Sequence, residues 1–128
     1  MKGLIYIFTV VIFLQTVPSF AFSPISCQNE NCEKAMKNKD FKEQLKVIQE
    51  TQFSETKLQL CKGLIKKNCI SSKQLKELLS VFSFEQHKTE IAMEAYDKVV
   101  DQENFYQIYT VFKMENNIRE IEQYIQSK

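Results

Sequence analysis

Glycine and proline are scarce: two of each occur in 128 residues, and past residue 21 only Gly63 and Pro24 remain. Tight hairpins draw on glycine at positive φ and flexible linkers on glycine and serine, so this composition argues against a hairpin-rich β fold and a long linker. Tryptophan is absent and His87 is the single histidine, which leaves a Ser-His-Asp triad one candidate base. Neither sign of charge is in surplus: 17 basic and 16 acidic residues give a formal net charge of +1. Strong non-specific attraction to nucleic acid or an anionic membrane needs a clustered positive excess, and none is visible along the chain. An apolar run of the ~20 residues that a membrane-spanning helix requires is also missing.

What is there begins with a leader. Lys2 precedes an apolar run from Leu4 to Leu14, and Ser19-Phe20-Ala21 forms the small-x-small pattern that signal peptidase accepts. Residues 1–21 are expected to be a signal peptide cleaved after Ala21, which makes the product secreted or periplasmic. A retained anchor conflicts with the length of the run. Lipidation at Cys27 conflicts with Pro24-Ile25-Ser26, where bacterial processing wants a leucine-like residue followed by a small pair. Removing Lys2 leaves 16 basic against 16 acidic residues, so no nucleic-acid partner and no stable membrane span are expected of the product.

Three later stretches follow one template at a spacing of roughly thirty residues, the signature of stacked helical units. Phe53, Phe84 and Met114 each open a helix-like run, and Leu75/Phe105, Leu79/Tyr109 and Phe82/Phe112 match at nearly the same offset. Such recurrence assigns most apolar residues to a core, Phe53, Phe82, Phe84, Phe105 and Phe112 among them. Residues 22–31 are polar, carry Pro24, show no apolar period and are expected to form an extended arm.

Helical spacing starts after Cys32, with Met36, Phe41, Leu45 and Ile48 on one face. Ser54 is the expected N-cap of a second helix lined by Leu58, Cys61, Leu64 and Ile65 and ending near Asn68. Ser71 or Ser72 caps a third, with Leu75, Leu78, Leu79 and Phe82 inward. A fourth uses Ile91, Ala92, Ala95 and Tyr96. Asp101 caps a fifth, lined by Phe105, Ile108, Tyr109 and Phe112, and a sixth runs from about Glu115 with Ile118, Ile121, Tyr124 and Ile125. The expected fold class is all-α: about six helices in three stacked pairs, forming one domain over residues 32–128 behind a disulfide-stapled arm.

The order Phe41, Ile48, Phe53, Lys57-Leu58, Cys61, Asn68-Cys69-Ile70, Gln74-Leu75, Phe82-Ser83-Phe84-Glu85, Ala92, Ala95-Tyr96, Asp101, Asn104-Phe105-Tyr106, Phe112 and Tyr124-Ile125 resembles the domain-of-unknown-function family 4476. The resemblance covers the chain from about Cys32 to Ile125. It implies an exported bacterial helical-repeat domain and carries over no catalytic residue.

Four cysteines follow the leader: Cys27, Cys32, Cys61 and Cys69. An even number in an exported chain favours disulfides. Cys61 and Cys69 are too far apart along a helix to bridge, on the order of 10 Å against a limit of ~7 Å. Two pairings stay open on spacing alone: Cys32 with Cys69 and Cys27 with Cys61, or Cys27 with Cys69 and Cys32 with Cys61. The family resemblance implies the first. Zinc prefers Cys-x-x-Cys knuckles and thioredoxin-like chemistry Cys-x-x-Cys at a helix start, and neither occurs.

Other candidate chemistry is thin. Ser54-Glu55-Thr56-Lys57 matches the Ser-x-x-Lys pattern of penicillin-recognising enzymes, but the companion Ser-Asp-Asn and Lys-Thr-Gly elements are missing. His87 is expected to be a solvated surface residue. With Glu90 and Glu94 it falls on neighbouring helical positions that offer at most a weak metal cluster. Asp97, Asp101 and Glu103 lack the glycine and alternation of a calcium loop. Lys62, Lys66 and Lys67 read as a helix end, where cations offset the dipole. Tyr96, Tyr106, Tyr109 and Tyr124 are amphipathic and make a candidate partner surface, since stacked helix pairs often present a concave face.

These observations together describe an exported, non-catalytic domain without cofactor or metal, acting as a protein-interaction or envelope-associated module on an unidentified protein or peptide. A secreted inhibitor or immunity-like factor, or a small hydrolase, are the competing readings.

Overall fold

Helices form where apolar residues recur at three- and four-residue steps, and they stop where the backbone turns extended. The computed structural model describes residues 32–128. The leader, the arm of residues 22–31 and Cys27 lie outside the described residues. Five α-helices are present: α1 (Asn38–Glu50), α2 (Ser54–Lys67), α3 (Ser72–Leu79), α4 (Glu85–Ala95) and α5 (Glu115–Gln126). A 3-10 turn (Tyr96–Lys98) extends α4, and a 3-10 helix (Gln102–Val111) stands where a fifth α-helix was expected.

Of the six helices, α1 packs with α2 and α3 with α4, and the 3-10 helix and α5 follow one another as the last pair along the chain. Along the stack α2 packs on α4 and α4 on α5, which makes one layer, while α3 packs on the 3-10 helix in the other. The second layer starts with α1, tied to α3 by the Lys42–Glu77 ion pair and by Gln74 Nε2 donating to Asn38 Oδ1 at 3.2 Å. Among the described residues the core is continuous. Leu75, Leu78 and Leu79 of α3, Ile91, Ala92 and Ala95 of α4, Ile108 and Ile121 are all at 0% exposure. The alanines have a physical reason: α4 touches α2, α3 and α5, and a methyl side chain lets neighbouring helices approach closely.

One edge of the stack is a polar ladder between successive connections. Met36 N–H donates to the Cys69 carbonyl at 2.7 Å, Ile70 N–H to Lys98 O at 2.9 Å and Val100 N–H to Ile70 O at 3.0 Å. Ile70 and Val99 form an isolated parallel β-bridge. Ser72 reinforces it, its N–H donating to Asp101 Oδ1 at 2.7 Å and its hydroxyl to Asp101 O at 3.0 Å. The Cys32–Cys69 disulfide, Cα to Cα 5.5 Å, anchors the first rung.

Several local expectations are corrected. Met36 belongs to this extended rung and is half-buried, because helix α1 begins only at Asn38. Ser54 is the first residue of α2 and not its cap; Phe53 holds the N-cap position with φ −83° and ψ 121°. Asp101 stands at the N-cap of the 3-10 helix, but its carboxylate is used across the ladder by Ser72 and by Asn104 Nδ2 at 3.3 Å. The inward positions of that helix, Phe105, Ile108 and half-buried Val111, fall at three-residue steps, the 3-10 period. Ser71 does cap α3, in a reciprocal capping box with Gln74.

The thiol of Cys61 is free and at 0% exposure, and Cys27, the partner expected for it, lies outside the described residues. Cys61 packs in the same buried cluster as Leu58, Leu64 and Ile65. Burial raises its thiol pKa strongly, nearby Glu94 adds to the rise and Lys62 opposes it.

Candidate functional site at the exposed corners

The edge opposite the ladder holds the turns that start α2, α4 and α5. At each, one residue adopts extended backbone at the N-cap: Phe53 (φ −83°, ψ 121°), Phe84 (φ −86°, ψ 122°) and Met114 (φ −114°, ψ 121°). None makes a side-chain cap hydrogen bond. The chain bends at Ser83 and Lys113 between the paired residues, so Phe82 and Phe112 turn inward at 5% and 9% exposure while Phe84 and Met114 turn outward. Phe53, Phe84 and Met114 are 75%, 61% and 60% exposed. The expectation that Phe53 and Phe84 are core is thus overturned; the recurrence marks a shared outward position.

Behind Phe84 lies a histidine that sequence reasoning places in solvent. The His87 side chain is only 15% exposed, with its ring edge-on to Phe82 at 6.1 Å and to Phe84 at 5.5 Å. Its Nε2 lies 3.6 Å from Glu55 Oε1 of α2, and its Nδ1 is buried without a hydrogen-bond partner among the described residues. No hydroxyl is therefore held by this imidazole, and Ser54 and Lys57 sit on α2 without it.

The next corner is locked by charge. Lys88 Nζ donates to Glu85 Oε1 at 2.8 Å and to Val111 O at 2.9 Å, while Glu85 Oε2 accepts from Lys113 N–H at 2.9 Å. Burial on its own would raise the Glu85 pKa, but the hydrogen bonds from Lys88 and the Lys113 backbone outweigh it and hold the carboxyl below its usual value. Asn117 Nδ2 adds a bond to Thr89 Oγ1 at 2.9 Å, joining α5 to α4. Sequence reasoning passes over Glu85, Lys88 and Thr89; the signal available is a lysine and a threonine spaced to face the core.

The remaining candidates are placed elsewhere. Glu90 and Glu94 turn to Lys62, whose pKa is raised first by the Glu90 hydrogen bond. Among the described residues no group of three or more His, Cys, Asp or Glu converges for a metal. Asp97 pairs with Lys128, and Glu103 is exposed. Of the four tyrosines, Tyr106 is exposed and the others half-buried: Tyr96 and Tyr109 stack edge-on against Phe105 at 5.0 and 6.3 Å, and Lys128 lies 5.0 Å over Tyr124. Burial, with Glu122 nearby, raises the Tyr109 pKa. Among the described residues no helix is long and apolar enough to cross a membrane.

Residues 35–125 match a family model described as a domain of unknown function (DUF4476). No curated protein and no solved structure matches the chain.

Proposed function

The chain belongs to the DUF4476 family, and we propose that it is an exported, non-catalytic interaction domain that engages an envelope protein or peptide through Phe53, Phe84 and Met114. One observation carries the reading. Most residues of the motif by which the chain resembles its family serve the architecture. Asn68 Nδ2 caps Leu64 O at 2.9 Å, Cys69 holds the staple, Gln74 and Asp101 tie connections together, and Ala92 and Ala95 pack. Phe84 is different, with most of its ring in water and equivalents at the two adjacent corners. Single exposed apolar residues are ordinary, but a repeated row is a feature of interaction sites. The Cys32–Cys69 disulfide supports action in an oxidising compartment outside the cytoplasm.

The test is site-specific photo-crosslinking in the native host, with a photoreactive phenylalanine analogue at position 84 and, separately, at Tyr106 on the tyrosine face. A discrete adduct from position 84 that disappears in the Phe53→Ser/Met114→Ser background supports the corner row. Adducts only from position 106 would move the site to the tyrosines.

A further inference from the structure

Along the sequence the lysines are scattered, but the fold gathers six of them. Lys34 and Lys37 precede α1 and Lys39 opens it; Lys66 and Lys67 end α2; Lys73 lies in the first turn of α3. The Cys32–Cys69 bridge and the Met36 to Cys69 hydrogen bond of 2.7 Å hold these segments side by side. Lys34, Lys37 and Lys67 line one open, shallow groove of about 380 Å³ with Met36, Asp40 and Cys69. All six lysines are exposed, and none takes part in an ion pair among the described residues. The only acids in the two segments, 33–40 and 66–73, are Glu33 and Asp40. Over residues 97–128 the acids Asp97, Asp101, Glu103, Glu115, Glu120 and Glu122 outnumber Lys98, Lys113, Arg119 and Lys128, and of these acids Asp101 comes beside Lys73 through its bond to the Ser72 N–H. A formally balanced chain thus folds into a molecule with one basic end, which corrects the expectation that no positive cluster exists.

We propose that this lysine edge docks on the surface of an anionic lipid bilayer. Charge complementarity is the first argument: each lysine near a negatively charged leaflet contributes on the order of 1 kcal/mol, equivalent to about fivefold in partition. Residue type is the second. Bidentate recognition of a particular carboxylate or phosphate favours arginine, whereas lysines on flexible stems suit a diffuse field of headgroups, and all six residues are lysine. Shape is the third, because the groove is broad and shallow. This surface is separate from the apolar corners and does not depend on the function proposed for them.

Vesicle flotation of the full chain tests the proposal, comparing phosphatidylcholine alone with phosphatidylcholine containing phosphatidylglycerol. Any contribution from the leader is common to every variant. The expected result is a gain in binding that requires phosphatidylglycerol and weakens as salt shortens the Debye length from about 10 to about 5 Å. Lys34→Gln/Lys37→Gln/Lys67→Gln should lower that gain about a hundredfold. Lys66→Gln/Lys73→Gln, which spares the groove, should lower it about twenty-five-fold. Lys57→Gln/Lys113→Gln, outside the edge, should leave it intact. Equal binding to both vesicle types overturns the proposal, as does equal loss in the Lys57/Lys113 variant. Binding to soluble polyglutamate or duplex DNA with none to phosphatidylglycerol vesicles likewise rejects the bilayer.

Discussion

The two edges of the stack are built from the same kind of turn and finished in opposite ways. At the ladder edge, Met36, Cys69, Ile70, Ser72, Val100 and Asp101 direct their polar groups at one another from connection to connection. At the corner edge, Phe53, Phe84 and Met114 direct apolar groups into water, and each helix starts without a side-chain cap. Cohesion between repeats is concentrated on the first, leaving the second open for a partner. Substitutions should therefore be costly at the ladder and nearly silent in stability at the corners.

The largest effect is expected from cutting the staple. Cys32→Ser/Cys69→Ser should cost about 4 kcal/mol by the chain-entropy estimate for a loop of this length, seen as a lowered midpoint in urea; a loss under 1 kcal/mol would mean the ladder holds without sulfur. Next comes the one strong lock on the corner edge. Lys88→Ala leaves Glu85 half-enclosed without its partner and should cost about 3 kcal/mol, an exception that marks where α5 is fastened. Asp101→Ala strips the acceptor from the buried Ser72 N–H, and about 1–3 kcal/mol is expected. An equal loss in the corner variants would erase the contrast between edges.

Acid should separate the edges as well. The folded Glu85 pKa lies below the ordinary 4.5, so its lock contributes stability above that value and loses it as pH falls from there through the folded value. Urea midpoints measured between pH 6 and pH 3 should drop less in Glu85→Gln than in the native chain once the difference at pH 6 is subtracted. The smallest effect belongs to the row itself: Phe53→Ser, Phe84→Ser and Met114→Ser should each change stability by no more than about 0.5 kcal/mol. Phe84 is the most sensitive of the three, because its ring edge meets His87.

Much of this fold is legible along the chain, and the reason is local. Leu75, Leu78 and Leu79, or Ile91, Ala92 and Ala95, announce a buried stripe by their spacing, and of the two serines expected to cap α3 it is Ser71 that does so. Phe53 and Phe84 mislead because hydrophobicity records what a side chain prefers and not which way an extended N-cap residue points it. His87 misleads for the converse reason: a polar residue in a first turn is shielded by two rings placed by the corner. The 3-10 helix is hidden because Phe105 and Ile108 satisfy both a three-residue and a helical step. The basic edge is invisible in sequence since its halves, near residues 34–39 and 66–73, meet only across the disulfide. Pairing of Cys32 with Cys69 is implied by family resemblance, as spacing leaves two arrangements open.

Cys61 gives the staple a consequence of its own. A disulfide is exchanged by a thiolate that can reach it, and this chain keeps an unpaired thiol within the same small domain as its bridge. Enclosure in the core and a pKa pushed far above neutrality deny that thiol both access and ionisation. Packing around α2 thus acts as a guard on covalent fidelity: while the core is closed the correct bridge persists, and heating or denaturant releases an internal nucleophile able to scramble it. Unfolding of this domain then becomes a chemically one-way event once exchange outpaces refolding.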